Sequence, residues 1–406
     1  MTGRRVFTVA SLGTAQTLAW ASTYYLPAIL AAPMAHDLDT SVPIVFAAFS
    51  TALIVSALVG PRAGAVIDRL GGRPLLMTTS VVFALGLTGL GTSQGVVGLF
   101  AAWVVLGIGM GSGLYEAAFA TLVRLEGKGA RTSITGITLI AGFASTVGWP
   151  LSAYLEDHFG WRNACLAWAS LHLLLGLPLN AMLPKAAKAS RDGAAAPAPA
   201  AALPDPAGMP STRAMVILSF VFATTWFIST AMAAHLPQLM LATGATAATA
   251  IVVGSLIGPA QVAARVLEFG WLRRVHPLLS ARLASAMHPL GVCVLLVGGP
   301  AFAPLFGVLH GAGNGILTIA KGTLPLVLFG NVGYGARQGW LMMPARVAQA
   351  LAPFVFGIVL ERLQAAALLV TAVMGLAALV ALLSLRARLP AAEVNAHAIV
   401  AGRPPG

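Results

Sequence analysis

Charge is the scarcest commodity in this sequence. Only 9% of its 406 residues are Asp, Glu, Lys or Arg, against roughly 25% in an average soluble domain, which excludes an ordinary water-soluble globule. Acidic groups are scarcer than basic ones, 12 against 24, giving a formal net charge of +12. A nucleic-acid partner would require those cations on one face of a folded soluble domain. Here they fall in short gaps between apolar runs, so no nucleic-acid partner is expected. Cysteine is nearly absent. Cys165 and Cys293, each inside an apolar run, exclude a disulfide framework and a four-ligand zinc site. No phosphate-binding glycine loop, nucleophile–base pattern or metal-ligand cluster is present, so neither an ATP-driven pump nor an enzyme is expected, and no cofactor or metal.

What the chain does have is hydrophobic residues, 58% of the total. A bilayer-crossing helix needs about 20 mostly apolar residues. Twelve such runs can be counted, roughly 8–32, 42–64, 75–93, 96–122, 133–155, 163–183, 214–236, 246–268, 279–299, 302–325, 338–360 and 364–385. The first uncharged run, Val6 to Ala35, is 30 residues long, too long for the roughly 7–15-residue core of a signal peptide, and is read as a retained helix. All but Arg162 and Arg362 of the 24 basic residues fall on one side if the N-terminus is inside. This asymmetry predicts that both termini are cytoplasmic.

The longest polar gap, 184–213, holds Lys185, Lys188 and Arg191 and then an Ala/Pro-rich stretch, the composition of an extended linker. The expected organisation is therefore an N-terminal bundle at 1–183, a cytoplasmic linker at 184–213, a C-terminal bundle at 214–388 and a disordered tail at 389–406. The halves echo each other: Gly60-Pro61 with Gly258-Pro259, Gly109/Gly111/Gly113 with Gly311/Gly313/Gly315, Leu26-Pro27 with Leu236-Pro237, and Ala130-Arg131 with Ala336-Arg337. The fold class expected is an all-α membrane protein of twelve transmembrane helices in two pseudo-symmetric six-helix bundles.

An ionisable residue in the bilayer costs about 2.5–3.5 kcal/mol on insertion scales, so each is a functional candidate. Glu116 lies eight residues before Arg124, about 12 Å inside the inner end at ~1.5 Å per residue. It is read as a proton carrier or cavity contact, with a buried structural pair as the competing reading. Arg346, nine residues past Arg337, is about 13 Å deep by the same rise. Its planar fork suits an anion, and the competing reading is a partner for an acid such as Glu116. Arg265 and Glu268, three apart on one helical face, read as a gating or structural ion pair. Lys321 is expected to snorkel to the interface. His310, one turn from Asn314, is a candidate proton relay, with a neutral core histidine as the alternative.

One charged cluster stands out, Gly60–Pro74, with Asp68, Arg69 and Arg73 interleaved with Gly64, Gly71 and Gly72. Following the second apolar run, the spacing Gly64, Asp68, Arg69, Gly71, Arg73 resembles the signature loop between helices 2 and 3 of the major facilitator superfamily; Pro74 stands where a second basic residue is common. The resemblance covers residues 6–388. The arginine usual in the family's fourth helix is missing, with Trp103 near its place. Residues 137–151 and 309–319 are similar to a bacterial subgroup near the monocarboxylate-porter-like transporters, some of which look like arsenical exporters.

The resemblance implies a secondary transporter of the bacterial inner membrane, a monomer working by alternating access. The expected cargo is a small organic or anionic solute, coupled to protons. Efflux of arsenicals or drugs is the alternative, and a non-transporting sensor of the same fold is the alternative of another class. It further implies that runs 1, 4, 7 and 10 line the cavity, making Gln16, Tyr25, Trp226 and Thr230 candidate contacts. Gly64, Asp68, Arg69, Gly71, Arg73 and Arg337 would form a gate, with Asp68 meeting the region of Arg337.

Overall fold

The computed structural model describes residues 3–185, 212–270 and 275–385. The interior of the 184–213 gap, the tail from 386 onward, and Arg273 and Arg274 lie outside the described residues. Among the described residues every regular element is helical. The first run forms α1 (Gly3–Ser22) and α2 (Pro27–Asp37); α3 (Val42–Leu70) and α4 (Gly72–Gly91) follow, then α5 (Val96–Gly113) and α6 (Tyr115–Glu126). Next come α7 (Ala130–Ala141), α8 (Ala144–Leu171) and, after a π-helical turn at His172–Gly176, the short α9 (Leu177–Ala181). Beyond the undescribed gap lie α10 (Thr212–Ala242), α11 (Ala247–Gly270), α12 (Pro277–Gly298), α13 (Ala303–Phe329), α14 (Tyr334–Leu363) and α15 (Ala367–Leu383).

Nine described stretches are long and apolar enough to cross a membrane. Two of them, Ala130–Ala181 and Tyr334–Leu383, run to 52 and 50 residues, far more than the ~20 that cross a hydrocarbon core. Each turns back within its length, at Gly160 (φ 77°) and at Gln364 (φ 49°). Large apolar side chains remain on the outside, such as Val97, Leu174, Val297 and Phe354. A soluble monomer rarely exposes so much apolar surface; in hydrocarbon no penalty attaches to it. The multi-pass membrane character read from composition therefore holds.

Three of the expected unbroken runs are in fact broken near mid-depth. Run 1 stops at Ser22 and resumes at Pro27, because proline supplies no N–H to the preceding turn but is well suited to begin a new one. Run 4 is interrupted at Leu114, whose backbone is extended (ψ −165°). Run 5 loosens at Gly142 and Phe143, between α7 and α8. The carbonyls these breaks release are met by side chains, as buried backbone acceptors require. Gln16 Nε2 donates to Gly113 O at 2.7 Å, and Arg265 Nη1 donates to Thr138 O at 3.0 Å.

The residues before 185 and those after 212 meet chiefly through α3 against α14, α6 against α14, and α7 against α11 and α13. Within the later residues α10 packs along α14, and α13 is held between α11 and α12. The α3–α14 seam is built on missing side chains. A Cβ on Gly64 would collide with the Gly335 carbonyl, and one on Gly339 with the Pro61 backbone.

Candidate functional site

The groups of chemical interest gather where the α5/α6 break faces α10, α13 and α14. Glu116 opens the half-helix α6 and Arg346 lies inside α14. Arg346 Nη2 donates to Glu116 Oε2 at 2.9 Å, a charge-assisted contact, and its Nη1 donates to Gln349 Oε1 at 3.1 Å. The competing reading of each residue as the other's partner is thus realised. A cleft beside the pair is lined by Ser56, Gly60, Gly339, Met342 and Met343.

Around the pair lie aromatic rings. Trp20 and Trp226 are nearly parallel, 5° apart in plane with centroids separated by 6.4 Å. Tyr115 leans on Trp20 at 4.9 Å, and Tyr25 packs edge-on against Tyr24 and Trp149. The Arg346 guanidinium lies 5.6 Å from the Trp226 centroid and 5.9 Å from that of Trp20, within cation–π range. Thr230, one turn along from Trp226, keeps a buried hydroxyl with no hydrogen-bond partner.

Lys321 corrects the sequence reading. It does not snorkel: it is 5% exposed, and its Nζ sits 3.5 Å above the Trp226 ring. Its position eight residues before the end of α13 at Phe329 places it about 12 Å inside, the same depth as Glu116. Applying the same count from the helix end would have singled it out.

His310 belongs elsewhere. Its Nδ1 lies 3.0 Å from Nδ1 of His288, whose Nε2 is 3.0 Å from the Thr371 hydroxyl, so the group ties α13 to α12 and α15. This placement is the one that the core-histidine alternative describes. Asn314 is half-buried, and its carbonyl accepts from Thr318. Gln16, besides closing the α5 break, lines a small polar cavity with Ser80, His172 and Asn180. It faces the interior of the first bundle rather than the aromatic cluster.

The expected Gly60–Pro74 loop is helical except at Gly71, between α3 and α4, and at that end of the molecule Asp68 spans the α3–α14 seam. Its two carboxylate oxygens accept from the backbone N–H groups of Gly335 and Ala336, both at 2.9 Å. The acceptor thus engages the positive N-terminus of α14 and not the Arg337 guanidinium. Arg337 turns to the carbonyls of Phe329, Gly330 and Val332. Gly71 ends α3 at φ 83°, a conformation that favours glycine, while Arg69 is exposed and Arg73 half-buried. The expected Arg265–Glu268 pair is not formed. Glu268 instead meets Arg131 of α7 at 3.5 Å and accepts from Ser280, while Arg265 reaches the α7 carbonyl of Thr138. Two contacts between α7 and α11, from before residue 185 and after residue 212, replace one contact within a helix.

A profile of the Major Facilitator Superfamily matches residues 12–323. The chain belongs to the Major Facilitator Superfamily. The family is one of membrane transporters. An uncharacterized 38 kDa protein encoded in a 23S RNA operon of Thermoproteus tenax is 27% identical over 316 residues, 77% of each chain. Among solved structures, the proton:xylose symporter XylE bound to 6-bromo-6-deoxy-D-glucose superposes with a TM-score of 0.71 at 13% identity, covering 93% of this chain and 94% of that one. FucP in the outward conformation gives 0.69 at 13%, with coverage of 93% and 98%. The human organic anion transporter MFSD10 gives 0.62 at 16%, with coverage of 94% and 100%. At such identities the likeness is one of fold.

Proposed function

We propose that this protein carries a small organic anion across the bacterial inner membrane by alternating access, coupled to protons, with Arg346 as the anion contact and Glu116 as the proton carrier. The observation that carries the reading is the Glu116–Arg346 pair, joining α6 to α14 inside the aromatic cluster. An anion entering the cluster competes with Glu116 for Arg346, and protonation of Glu116 releases the guanidinium to the cargo. Proton and anion then move together, because each stabilises the state the other needs.

In this reading the chain crosses twelve times with both termini cytoplasmic. The two over-long stretches each count twice, and α1 with α2 supplies the remaining crossing. Residues 1–183 and 214–388 act as two six-helix bodies rocking about the site. The Asp68, Arg131–Glu268 and Arg265 contacts close the cytoplasmic side. The soft-metal alternative gains nothing from the structure, since Cys165 is buried in α8 and Cys293 is exposed on α12.

The test is uptake into proteoliposomes with and without an inward proton gradient, using radiolabelled carboxylates and neutral sugars. The gradient is expected to accelerate carboxylate uptake at least tenfold, and Glu116→Gln to remove that acceleration. Uptake of sugars alone would refute the anion assignment. Undiminished gradient-driven uptake by Glu116→Gln would remove Glu116 as carrier.

A further inference from the structure

The central cluster holds more basic than acidic side chains. Lys321 is nine-tenths buried, and the charged groups acting on it are Glu116, Arg346 and Arg265. Glu116 is already taken by Arg346. Arg265 is likewise buried; its hydrogen-bond acceptor is the Thr138 carbonyl, and its Nε has none. The nearest other carboxylate along α11, Glu268, pairs with Arg131. Lys321 has the Trp226 face, and no salt bridge is formed to it among the described residues. Three basic side chains, Arg346 and Lys321 beside Trp226 and Arg265 on the α11 side, therefore share the one carboxylate of Glu116 in a low-dielectric setting, where a charged ammonium is strongly unfavourable until an anion meets it.

Resting on the anion reading above, we infer that the cargo is a doubly charged organic anion, and that Lys321 binds its second negative group. The Arg346 guanidinium and the Lys321 ammonium lie 5.6 Å and 3.5 Å from the centroid of the same Trp226 ring, and the proposed ligand bridges the two. One anionic group displaces Glu116 on Arg346, while the other settles on the Lys321 ammonium. The hydrocarbon between them lies against Trp20 and Trp226. With Glu116 protonated, as the transport step requires, a dianion meets Arg346 and Lys321 one for one, whereas a monoanion leaves the buried Lys321 ammonium unmatched. The geometry thus separates dicarboxylates or phosphorylated acids from simple monocarboxylates by charge count rather than by size.

Isothermal titration of the purified full-length protein in detergent tests this with matched probes: succinate, glutarate and phthalate against their monomethyl esters, with xylose as a neutral control. At least one diacid is expected to bind tenfold or more tightly than its half-ester. Lys321→Gln should weaken the diacid about tenfold more than the half-ester, and Lys321→Arg should retain the preference. Equal affinity for diacid and half-ester, or an equal loss of both in Lys321→Gln, overturns the inference while leaving the anion reading intact. Binding of xylose alone, or of none of these probes, overturns both. A melting temperature of Lys321→Gln within a few degrees of wild type establishes that the variant is folded.

Discussion

At the residue scale the central question is what Glu116 and Arg346 do for each other. Arg346 is 3% exposed and Glu116 16%, so their contact is shielded on one side and reachable on the other. Removing one member leaves a buried polar group without its partner, which costs about 1–3 kcal/mol. Arg346→Gln is therefore expected to lower the melting temperature, and the double variant Glu116→Gln/Arg346→Gln to recover most of the loss. A double variant no more stable than the sum of the singles would mean that the pair is not coupled. Arg346→Lys separates structure from recognition. It keeps the charge and loses the fork, so affinity for an anion should fall further than for a neutral solute, as read by the same titration. Depth counting from a helix end located both residues in the sequence, because a charge deep in an apolar run is conspicuous. It did not reveal that they pair, since helices 6 and 14 are brought together only by the tertiary fold. Lys321 was misread because a long side chain near a helix end is ordinarily able to reach water. Its ring partner, Trp226, is far away in sequence.

At the element scale the telling feature is the contrast between breaks and seams. The breaks at Thr23–Leu26, Leu114 and Gly142–Phe143 lie in runs whose hydropathy is continuous, and Leu114 is neither glycine nor proline. Hydropathy reports where a chain sits in the bilayer and is insensitive to where its hydrogen bonding is handed to a side chain such as Gln16 or Arg265. Of the seam between α3 and α14 only the Asp68 end was legible, through the family resemblance that places Asp68 near Arg337; Gly335 and Gly339, which let the backbones approach, drew no attention in the sequence. Its consequence is directly testable. Gly64→Ala places a methyl group against the Gly335 carbonyl and should force the Asp68 end of α14 away from α3. Ser56, 3% exposed and lining the cleft beside Glu116 and Arg346, serves as the reporter. In a background with Cys165 and Cys293 replaced by serine, Ser56→Cys should react with a membrane-impermeant maleimide added on the side that carries the α3–α4 turn several-fold faster when Gly64→Ala is present. An unchanged labelling rate would show that the seam yields without opening the cleft.

At the scale of the whole molecule, polar contacts between the residues before 185 and those after 212 are unevenly distributed. Asp68 to the α14 N-terminus, Arg131 to Glu268, Arg131 to the Val275 carbonyl and Arg265 to Thr138 all lie toward the end that carries the α3–α4 turn. Glu116–Arg346 sits deeper, and beyond it the Ser50 hydroxyl to the Ala350 carbonyl is the described inter-bundle hydrogen bond on the far side. In the alternating-access reading proposed above, these few electrostatic contacts latch one face, and transport requires them to release. The Arg131–Glu268 contact is the one to reverse, because Glu268 is 3% exposed while Arg131 retains 23% exposure toward water, so swapping the charges exchanges the groups without emptying the site. Arg131→Glu places two carboxylates together and should release the latch, raising labelling of the Ser56→Cys reporter from the side of the α3–α4 turn and slowing uptake. Glu268→Arg alone places two guanidiniums together and should do the same. Combined, the two substitutions restore attraction across the same gap, and labelling should fall back toward the starting rate even if uptake recovers only in part. Failure of the combined variant to restore protection would mean that the carboxylate at 268 is held for Ser280 and the interior of its own bundle, and that the Asp68 seam alone closes this face.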